Sequence, residues 1–284
     1  MVITGATSGI GQIAALHLAA RGARIIFVAR DRDRARATLE LLAAAGPGCA
    51  HAVHFADLAV LAEQRRVAGE IAAAEPRIDV LLNNAGAITM GRTRTVDGLA
   101  VTFAANHLAY YVLTVLLLPS LQASPEARIV CTSSRAHRQA RMDFEHLQRD
   151  GMSGYAQSKL ANLLFVRRLA QLLAGSTTTV NALHPGFVAT RFADNGGLGW
   201  RALTRWVKGA AAITPEEGAQ TLIYLAQSDE VAGRSGGYYV RCALCEPANQ
   251  ARSDRDAQRL WQLSAKLTGV SYEGVATAGS GFQL

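Results

Sequence analysis

The stretch Val2-Ile-Thr-Gly-Ala-Thr-Ser-Gly-Ile-Gly11 decides the fold, because a short apolar strand leads into a glycine-rich turn and then into a helix. Apolar side chains recur at helical spacing from Ile10 to Ala20. Glycines let the backbone of such a turn approach a ligand, and the helix N-terminus suits the phosphates of a dinucleotide. The same turn is equally typical of a tight connection that binds nothing, so the rest of the chain has to decide.

Apolar segments of strand length alternate with helical segments along the chain. The predicted strands are Met1–Thr4, Ala23–Ala29, Ala50–Phe55, Ile78–Asn83, Ala127–Thr132, Thr178–His184 and Gly237–Val240. Right-handed crossovers between such strands build a parallel sheet that helices cover on both faces. We therefore predict one α/β domain over residues 1–284, a Rossmann fold with a doubly wound, parallel, seven-stranded sheet. Residues 187–212 are expected to form a small substrate-binding lid, and residues 250–284 a C-terminal helix and tail.

Tyr155 and Lys159 are four residues apart in a predicted helix, so their side chains share one helix face. A nearby ammonium favours the phenolate, and we expect Lys159 to lower the pKa of Tyr155 from its usual value of about 10. A tyrosine of that kind transfers protons at physiological pH. Helices often place Tyr and Lys at this spacing by chance, with the lysine on a solvated face. Only beside a nucleotide-binding turn does the pair indicate hydride chemistry on a carbonyl or an alcohol.

Polar residues follow the carboxyl ends of the strands, where ligands bind in doubly wound sheets. Arg30 follows the second strand, and a guanidinium there suits the 2′-phosphate of NADP(H) better than the 2′-hydroxyl of NAD(H). The alternative is that Arg30 is a solvated loop charge. Asp57-Leu58 follows the third strand, within reach of the adenine. Asn83-Asn-Ala-Gly86 follows the fourth strand and is also plausible as an ordinary turn.

The composition limits the classes of protein to which the chain can belong. Its 284 residues are 50% hydrophobic, enough for one large core. No run of eighteen apolar residues occurs, and the first turn begins at Thr4, so we expect a cytoplasmic protein without a membrane anchor or signal peptide. The net charge of +7 comes from scattered residues without interleaved aromatics, so nucleic-acid binding is not expected. Cys242-Ala-Leu-Cys245 lacks two further ligands at suitable spacing, so we expect no metal site.

As an ordered set, the motifs resemble the short-chain dehydrogenase/reductase family, in the branch of the retinol dehydrogenases and the WW-domain oxidoreductase. The matching motifs are Thr4-Gly-x3-Gly-x-Gly11, Asp57-Leu58, Asn83-Asn-Ala-Gly86, Asn106-His-Leu, Thr132-Ser-Ser134, Tyr155-x-x-Ser-Lys159-Leu-Ala-Asn162 and His184-Pro-Gly186. The resemblance extends from residue 2 to about residue 270. It implies a catalytic set of Asn106, Ser134, Tyr155 and Lys159.

Each catalytic residue takes a role from the resemblance. Tyr155 is expected to act as general acid in reduction and general base in oxidation, while Lys159 lowers its pKa and bonds the nicotinamide ribose. Ser134 rather than Ser133 is expected to hold the substrate oxygen. Asn106 is expected to kink its helix and anchor a water that links Lys159 to solvent. The cofactor-binding residues are expected to be Gly5, Thr7, Ser8, Gly9, Ile10, Gly11, Arg30, Asp57, Leu58, Asn84, Ala85, Gly86, Tyr155, Lys159, Pro185, Gly186, Val188 and Thr190.

The substrate is expected to be a lipophilic ketone, aldehyde or alcohol. Beside Ser134, the predicted substrate-binding residues are the aromatics of the lid region, Phe187, Phe192, Trp200 and Trp206. A retinoid substrate is doubtful, because the membrane anchor of the microsomal retinol dehydrogenases is not expected here. We also expect a homodimer or homotetramer. The competing interpretation is a catalytically silent NADP(H)-binding sensor or scaffold on the same fold.

Overall fold

One sheet of eight strands forms the centre of the protein, whose computed structural model describes residues 1–147, 149–186 and 213–273. The strands are β1 Val2–Thr4, β2 Ile26–Ala29, β3 Ala52–Phe55, β4 Val80–Asn83, β5 Arg128–Thr132, β6 Thr179–His184, β7 Tyr238–Val240 and β8 Ala243–Leu244. They lie in the order β3-β2-β1-β4-β5-β6-β7-β8. Strands β1 to β7 pair in parallel, which confirms the predicted doubly wound α/β fold.

The eighth strand corrects the predicted count of seven. Strand β8 pairs with β7 in antiparallel fashion across a two-residue turn. Both turn residues, Arg241 and Cys242, have positive φ angles of 52° and 61°, as tight hairpin turns require. A strand of two residues is too short to show the alternation of polar and apolar side chains by which a strand is predicted. The turn also holds the first cysteine of the Cys-x-x-Cys stretch, and Cys242 and Cys245 are both free thiols.

Helices cover both faces of the sheet, as predicted. They are α1 Gly9–Ala19, α2 Arg32–Ala45, α3 Leu61–Ala74, α4 Val101–Phe103, α5 Ala109–Gln122, α6 Gly151–Leu172, α7 Pro215–Gln227 and α8 Asp254–Thr268. Helices α3, α5, α6 and α8 contribute to the core on one face, and α1, α2 and α7 to the core on the other. Residues of the central strands are buried whichever face they point to, which explains the continuous apolar runs in the sequence.

The region 101–122 is one long, apolar helix, in which a π-helical segment, Ala104–Leu108, joins α4 to α5. Its mean hydropathy of 1.6 over the most apolar window would allow it to cross a membrane by length and composition. The expectation of no such segment rests on uninterrupted apolar runs alone, a criterion that does not identify this helix as a possible membrane-spanning segment. In the fold, 89% of that window is buried, where α5 packs against the sheet and its neighbouring helices.

The order of the strands reverses between β1 and β4, which both lie at the centre of the sheet. Strand β1 has only three residues, yet it pairs with β2 on one side and β4 on the other. Connections from these two strands leave toward opposite sides, so a crevice opens at their carboxyl ends. The predicted lid, 187–212, lies outside the described residues, as do Phe187, Val188, Thr190, Phe192, Trp200 and Trp206. Of the C-terminal region, residues up to 273 are described.

Candidate active site

The glycine turn after β1 packs directly against the end of β4. Gly5 has a φ of +73°, and a Cβ atom there would lie 2.9 Å from Ala85 Cα. A Cβ atom on Gly11 would overlap the carbonyl oxygen of Gly5 and crowd the Asn84 amide. Close approach of a ligand was the expected reason for these glycines. The structure gives Gly5 and Gly11 another reason as well, because the turn and the end of β4 are in contact.

Thr4 links the ends of the two central strands. Its Oγ1 accepts hydrogen bonds of 2.9 Å from the backbone N–H of both Asn84 and Ala85, and it donates to Leu82 O at 3.4 Å. The Asn84 amide donates to Thr4 O at 3.2 Å and accepts from Thr132 Oγ1 at 3.2 Å. No role was predicted for Thr4 from the sequence. A threonine at the end of a strand is common, so only the position of Thr4 at the start of the glycine motif could have indicated its role.

The N-terminus of α1 is suited to an anion. The N-cap residue, Ser8, makes no side-chain capping bond, and the first turn of the helix carries no acidic residue. Thr7, Ser8, Gly9 and Ile10 are all partly exposed, so the turn at the start of the helix is open to solvent. Unpaired N–H groups and the helix dipole together favour a phosphate at such a position. The residues present therefore fit the pyrophosphate of a nicotinamide dinucleotide.

Arg30 and Asp57 meet beyond the carboxyl ends of β2 and β3. The Arg30 guanidinium lies 3.6 Å from Asp57 Oδ2, and its side chain is 76% exposed. Asp31 is not a close competitor of Asp57 for the Arg30 guanidinium, because the Asp31 carboxylate caps α2 by accepting from Asp33 N and Arg34 N. These capping bonds, above all that from Arg34, lower the pKa of Asp31. An exposed guanidinium in a weak surface ion pair can turn to a second anion at little cost.

Asn106 lies in the π-helical segment, so the helix is irregular at the predicted position. Its Oδ1 accepts from Ala87 N at 2.6 Å, and its Nδ2 donates to Ala87 O at 2.9 Å and to Ser158 Oγ at 3.0 Å. One fully buried amide thus ties the segment after β4 to helix α6. A π-helical turn often marks a functional position because it redirects a side chain. The predicted water beside Asn106 remains a prediction.

Lys159 is buried in the first half of α6, with only 2% of the residue exposed. Its Nζ donates to Thr132 O at 3.1 Å, and the same oxygen accepts from Asn162 Nδ2 at 3.2 Å. Burial lowers the pKa of Lys159 to about 8. A lysine in this condition carries a charge at neutral pH but loses it within one or two pH units above neutrality.

Tyr155 lies on the same helix face as Lys159, whose Nζ is 5.6 Å from the centre of the phenol ring. The expected lowering of the Tyr155 pKa is wrong for this structure: burial raises that pKa to about 12, and the hydrogen bond with Ser134 offsets only part of the rise. The free-energy cost of removing a phenolate from water exceeds the stabilisation that the surrounding groups provide. At neutral pH Tyr155 is therefore a phenol, which is a proton donor.

The two serines after β5 have different partners. Ser133 is buried and donates to Lys159 O at 2.8 Å, so its hydroxyl is part of the packing between β5 and α6. Ser134 is partly exposed, and its Oγ accepts from Ala136 N at 3.2 Å. Because that oxygen already accepts a bond, the hydroxyl hydrogen of Ser134 remains to be donated. This geometry agrees with the choice of Ser134 over Ser133 as the residue that contacts substrate, which remains a prediction.

The remaining predicted residues surround the same edge of the sheet. Leu58 and Asp57 follow β3, and Gly86 follows β4. Pro185 and Gly186 follow β6, where Gly186 has a φ of +94° and its missing side chain leaves room for Ile213. Before them, His184 is buried, and burial lowers its pKa to about 4, so its ring is neutral at physiological pH. Apart from Asn106, all the described residues of the predicted site thus follow the carboxyl end of a strand or lie on α6.

Known proteins are similar to this chain over most of its length. The profile of the short chain dehydrogenase family matches residues 1–197. Dehydrogenase/reductase SDR family member 13 from Bos taurus is 41% identical over 278 residues, which cover 95% of this chain and 73% of that protein. Retinol dehydrogenase 14 from Mus musculus is 40% identical over 286 residues, covering 95% and 86%. The Pseudomonas aeruginosa RhlG/NADP active-site complex has a TM-score of 0.67 at 28% identity, covering 84% of this chain and 93% of that one.

The family match includes both halves of the candidate site, the glycine turn at β1 and the helix that carries Tyr155 and Lys159. The two curated relatives extend the similarity across 95% of the chain, and one of them is a retinol dehydrogenase, as in the predicted branch. The chain therefore belongs to the short-chain dehydrogenase/reductase family and resembles its retinol dehydrogenase branch.

Proposed function

We propose that the protein is an NADP(H)-dependent oxidoreductase that interconverts a lipophilic ketone or aldehyde and the corresponding alcohol. The observation that carries the proposal is the hydrogen bond between Ser134 and Tyr155 at the carboxyl edge of the sheet, beside Lys159. Two hydroxyl donors that converge on one point can stabilise the alkoxide that forms when a hydride reaches a carbonyl. A bound nicotinamide supplies or accepts that hydride.

The roles of the residues follow from their protonation. In reduction, Tyr155 donates its phenolic proton to the developing alkoxide, while the hydroxyl of Ser134 holds the same oxygen. The Lys159 ammonium stabilises the phenolate that Tyr155 leaves behind, because an opposite charge nearby favours the ionised form. In oxidation, the same groups act in reverse. A phenol pKa of about 12 keeps Tyr155 protonated at neutral pH, which is the form that donates a proton in the reductive direction.

The preference for NADP(H) rests on Arg30, because no carboxylate from residue 29 or 30 is offered to a ribose 2′-hydroxyl. The similar Pseudomonas aeruginosa structure is a complex with NADP, which supports the same preference. A lipophilic substrate is proposed because the curated relatives include a retinol dehydrogenase. We further propose a cytoplasmic homodimer or homotetramer, which cell fractionation and sedimentation would check.

The direct test is NADPH oxidation by the purified protein, followed by the loss of NADPH absorbance against a panel of aliphatic and aromatic ketones and aldehydes. We expect turnover with apolar members of the panel and none with Tyr155→Phe. The alternative function is a catalytically silent sensor. Tight NADPH binding by fluorescence, with no turnover on the whole panel in either direction, would favour that alternative and overturn the enzymatic proposal.

A further inference from the structure

His137 is a buried histidine whose two ring nitrogens both have partners. It lies in the short 3₁₀ helix Arg135–Gln139 that follows β5, and none of its surface is exposed. Its Nδ1 is 2.6 Å from the carbonyl oxygen of Ser134, and its Nε2 is 3.1 Å from the backbone nitrogen of Ala248. The ring therefore connects Ser134 of the candidate site to the segment that follows β8.

The two partners admit one protonation state. The Ala248 N–H is a donor, so Nε2 must be the unprotonated nitrogen that accepts from it. The Ser134 carbonyl oxygen is an acceptor only, so Nδ1 must carry the hydrogen. A protonated ring would lose the bond to Ala248, and the opposite neutral tautomer would lose both bonds. Burial lowers the pKa of His137 by more than the hydrogen bond with Ser134 raises it, and the charge of Arg138 lowers it further, which favours the neutral ring.

Packing fixes the plane of the ring as well as its hydrogen bonds. The Tyr238 ring on β7 meets His137 edge-on, with centroids 5.2 Å apart and an interplanar angle of 79°. Tyr238 is itself buried, with 3% exposure, so the contact cannot shift freely. The imidazole is thus held from three directions, by β7, by Ser134 and by Ala248.

Both oxygen atoms of Ser134 accept hydrogen bonds from its own 3₁₀ helix. The carbonyl oxygen accepts from the His137 imidazole at 2.6 Å and from the His137 backbone N–H at 3.1 Å, and Oγ accepts from Ala136 N. Ser134 is extended, with φ −157° and ψ 154°, where it caps the 3₁₀ helix. Without the imidazole, the Ser134 carbonyl would keep only its bond from the His137 backbone N–H, so the turn that holds the Ser134 hydroxyl would be less firmly fixed. The bond to Tyr155 would then weaken.

We propose that His137 is the positioning residue of Ser134: as the neutral Nδ1–H tautomer, it anchors the Ser134 carbonyl and so aims the Ser134 hydroxyl at Tyr155. The catalytic consequence rests on the proposed function, whereas the tautomer and the Ser134–Tyr155 contact do not depend on it. His137 touches neither reacting atom in this scheme. It acts only through Ser134.

Two substitutions separate the two bonds of the ring. His137→Asn keeps a donor at the position of Nδ1 but cannot reach Ala248, while His137→Gln can accept from Ala248 N but lacks a donor at the position of Nδ1. We expect His137→Gln and His137→Phe to lower kcat by about 10- to 100-fold, since small misplacements in a site can cost ~10²-fold. His137→Asn should recover most of kcat, and the KM for NADPH should stay unchanged in all three. His146→Gln, at an exposed histidine, is the matched control.

Two NMR measurements test the arrangement without turnover. Nitrogen-15 spectra of the imidazoles should show His137 as the Nδ1–H tautomer. The 13Cζ shift of Tyr155, assigned by its loss in Tyr155→Phe, should change alike in Ser134→Ala and His137→Phe but stay near the wild-type value in His137→Asn. An Nε2–H tautomer for His137, or a folded His137→Phe variant with an unchanged Tyr155 signal, would overturn the proposal. Absence of turnover in the wild type would count only against the proposed function, because both NMR signals remain readable.

Discussion

The ammonium of Lys159 bonds the Thr132 carbonyl oxygen at 3.1 Å and lies 5.6 Å from the centre of the Tyr155 ring. The cation is thus held by strand β5, at a distance from which it acts on Tyr155 through space. Burial raises the pKa of Tyr155 to about 12, and the hydrogen bond with Ser134 offsets only part of the rise. A protonated tyrosine beside a charged lysine is the state that the proposed carbonyl reduction requires at neutral pH.

The phenolic hydroxyl of Tyr155 should be essential for turnover and nearly irrelevant for cofactor binding. Tyr155→Phe keeps the ring and its packing but removes the proton, so we expect kcat to fall by about 10²–10⁴-fold, the usual contribution of a general acid. NADPH affinity, measured by fluorescence titration, should stay within a few-fold of wild type. A variant that kept more than about a tenth of the wild-type activity would contradict the assignment.

Loss of the Lys159 ammonium should damage both binding and chemistry. Lys159→Ala removes the proposed partner of the nicotinamide ribose and the charge that stabilises the phenolate, so we expect weaker NADPH binding together with a lower kcat. Lys159→Met keeps the length of the side chain and separates lost packing from lost charge. An effect on kcat alone would show that the ribose contact does not exist.

The pH dependence of reduction should follow Lys159. Burial lowers its pKa from 10.5 to about 8, so the ammonium is present below pH 8 and disappears as the pH rises through that value. We expect kcat/KM for NADPH to be constant on the acid side of pH 8 and to fall above it, because this ratio reports ionisations of the free enzyme. Tyr155, with a pKa of about 12, remains protonated over this range. A profile that stays flat well above the Lys159 pKa would rule out a role for the Lys159 charge.

Arg30 should set the preference between the two dinucleotides. A guanidinium–phosphate pair contributes roughly 1.5–3 kcal/mol net, or about ten- to a hundredfold in affinity, so wild type should bind NADPH that much more tightly than NADH. Arg30→Ala should remove most of the difference while leaving NADH affinity unchanged. Arg36→Ala is the control, because Arg36 is also exposed but pairs with Asp33 on α2. Equal affinities in the wild type would show that the 2′-phosphate is not recognised.

Two glycine substitutions should change stability in opposite directions. In Gly11→Ala the new Cβ atom would overlap the Gly5 carbonyl oxygen, so we expect the free energy of unfolding to drop by about 1–3 kcal/mol or more, with weaker NADPH binding. Gly69 is an exposed residue inside α3, and a methyl group added there would meet no atom within 4 Å. Gly69→Ala should stabilise by about 1 kcal/mol through helix propensity. Urea unfolding measures the stability of both variants. Destabilisation of similar size in the two would argue against the close approach of Gly11 to the Gly5 carbonyl oxygen.

Much of the fold was predictable because its signals are local. Buried parallel strands appear as continuous apolar runs, such as Ile26–Ala29, and the helices between them have apolar residues at helical spacing. The two-residue β8 carries no such signal, and neither does the π-helical turn at Asn106, where Asn106 bonds Ala87 and Ser158, which are distant in the chain. The polar residues at strand ends were predictable as a set, since parallel strands bring their carboxyl ends to one edge.

The sequence by itself determined the alternation of strands and helices, the glycine turn and the spacing of Tyr155 and Lys159, because each depends on residues close together in the chain. Only the tertiary structure decided the pKa of Tyr155, which burial raises and the hydrogen bond with Ser134 lowers only in part. Likewise, only the fold brings His137 between Ser134 and Ala248, which is 111 residues further along the chain than His137. Desolvation and long-range contacts depend on what surrounds a residue in space, and no local pattern of side chains records that.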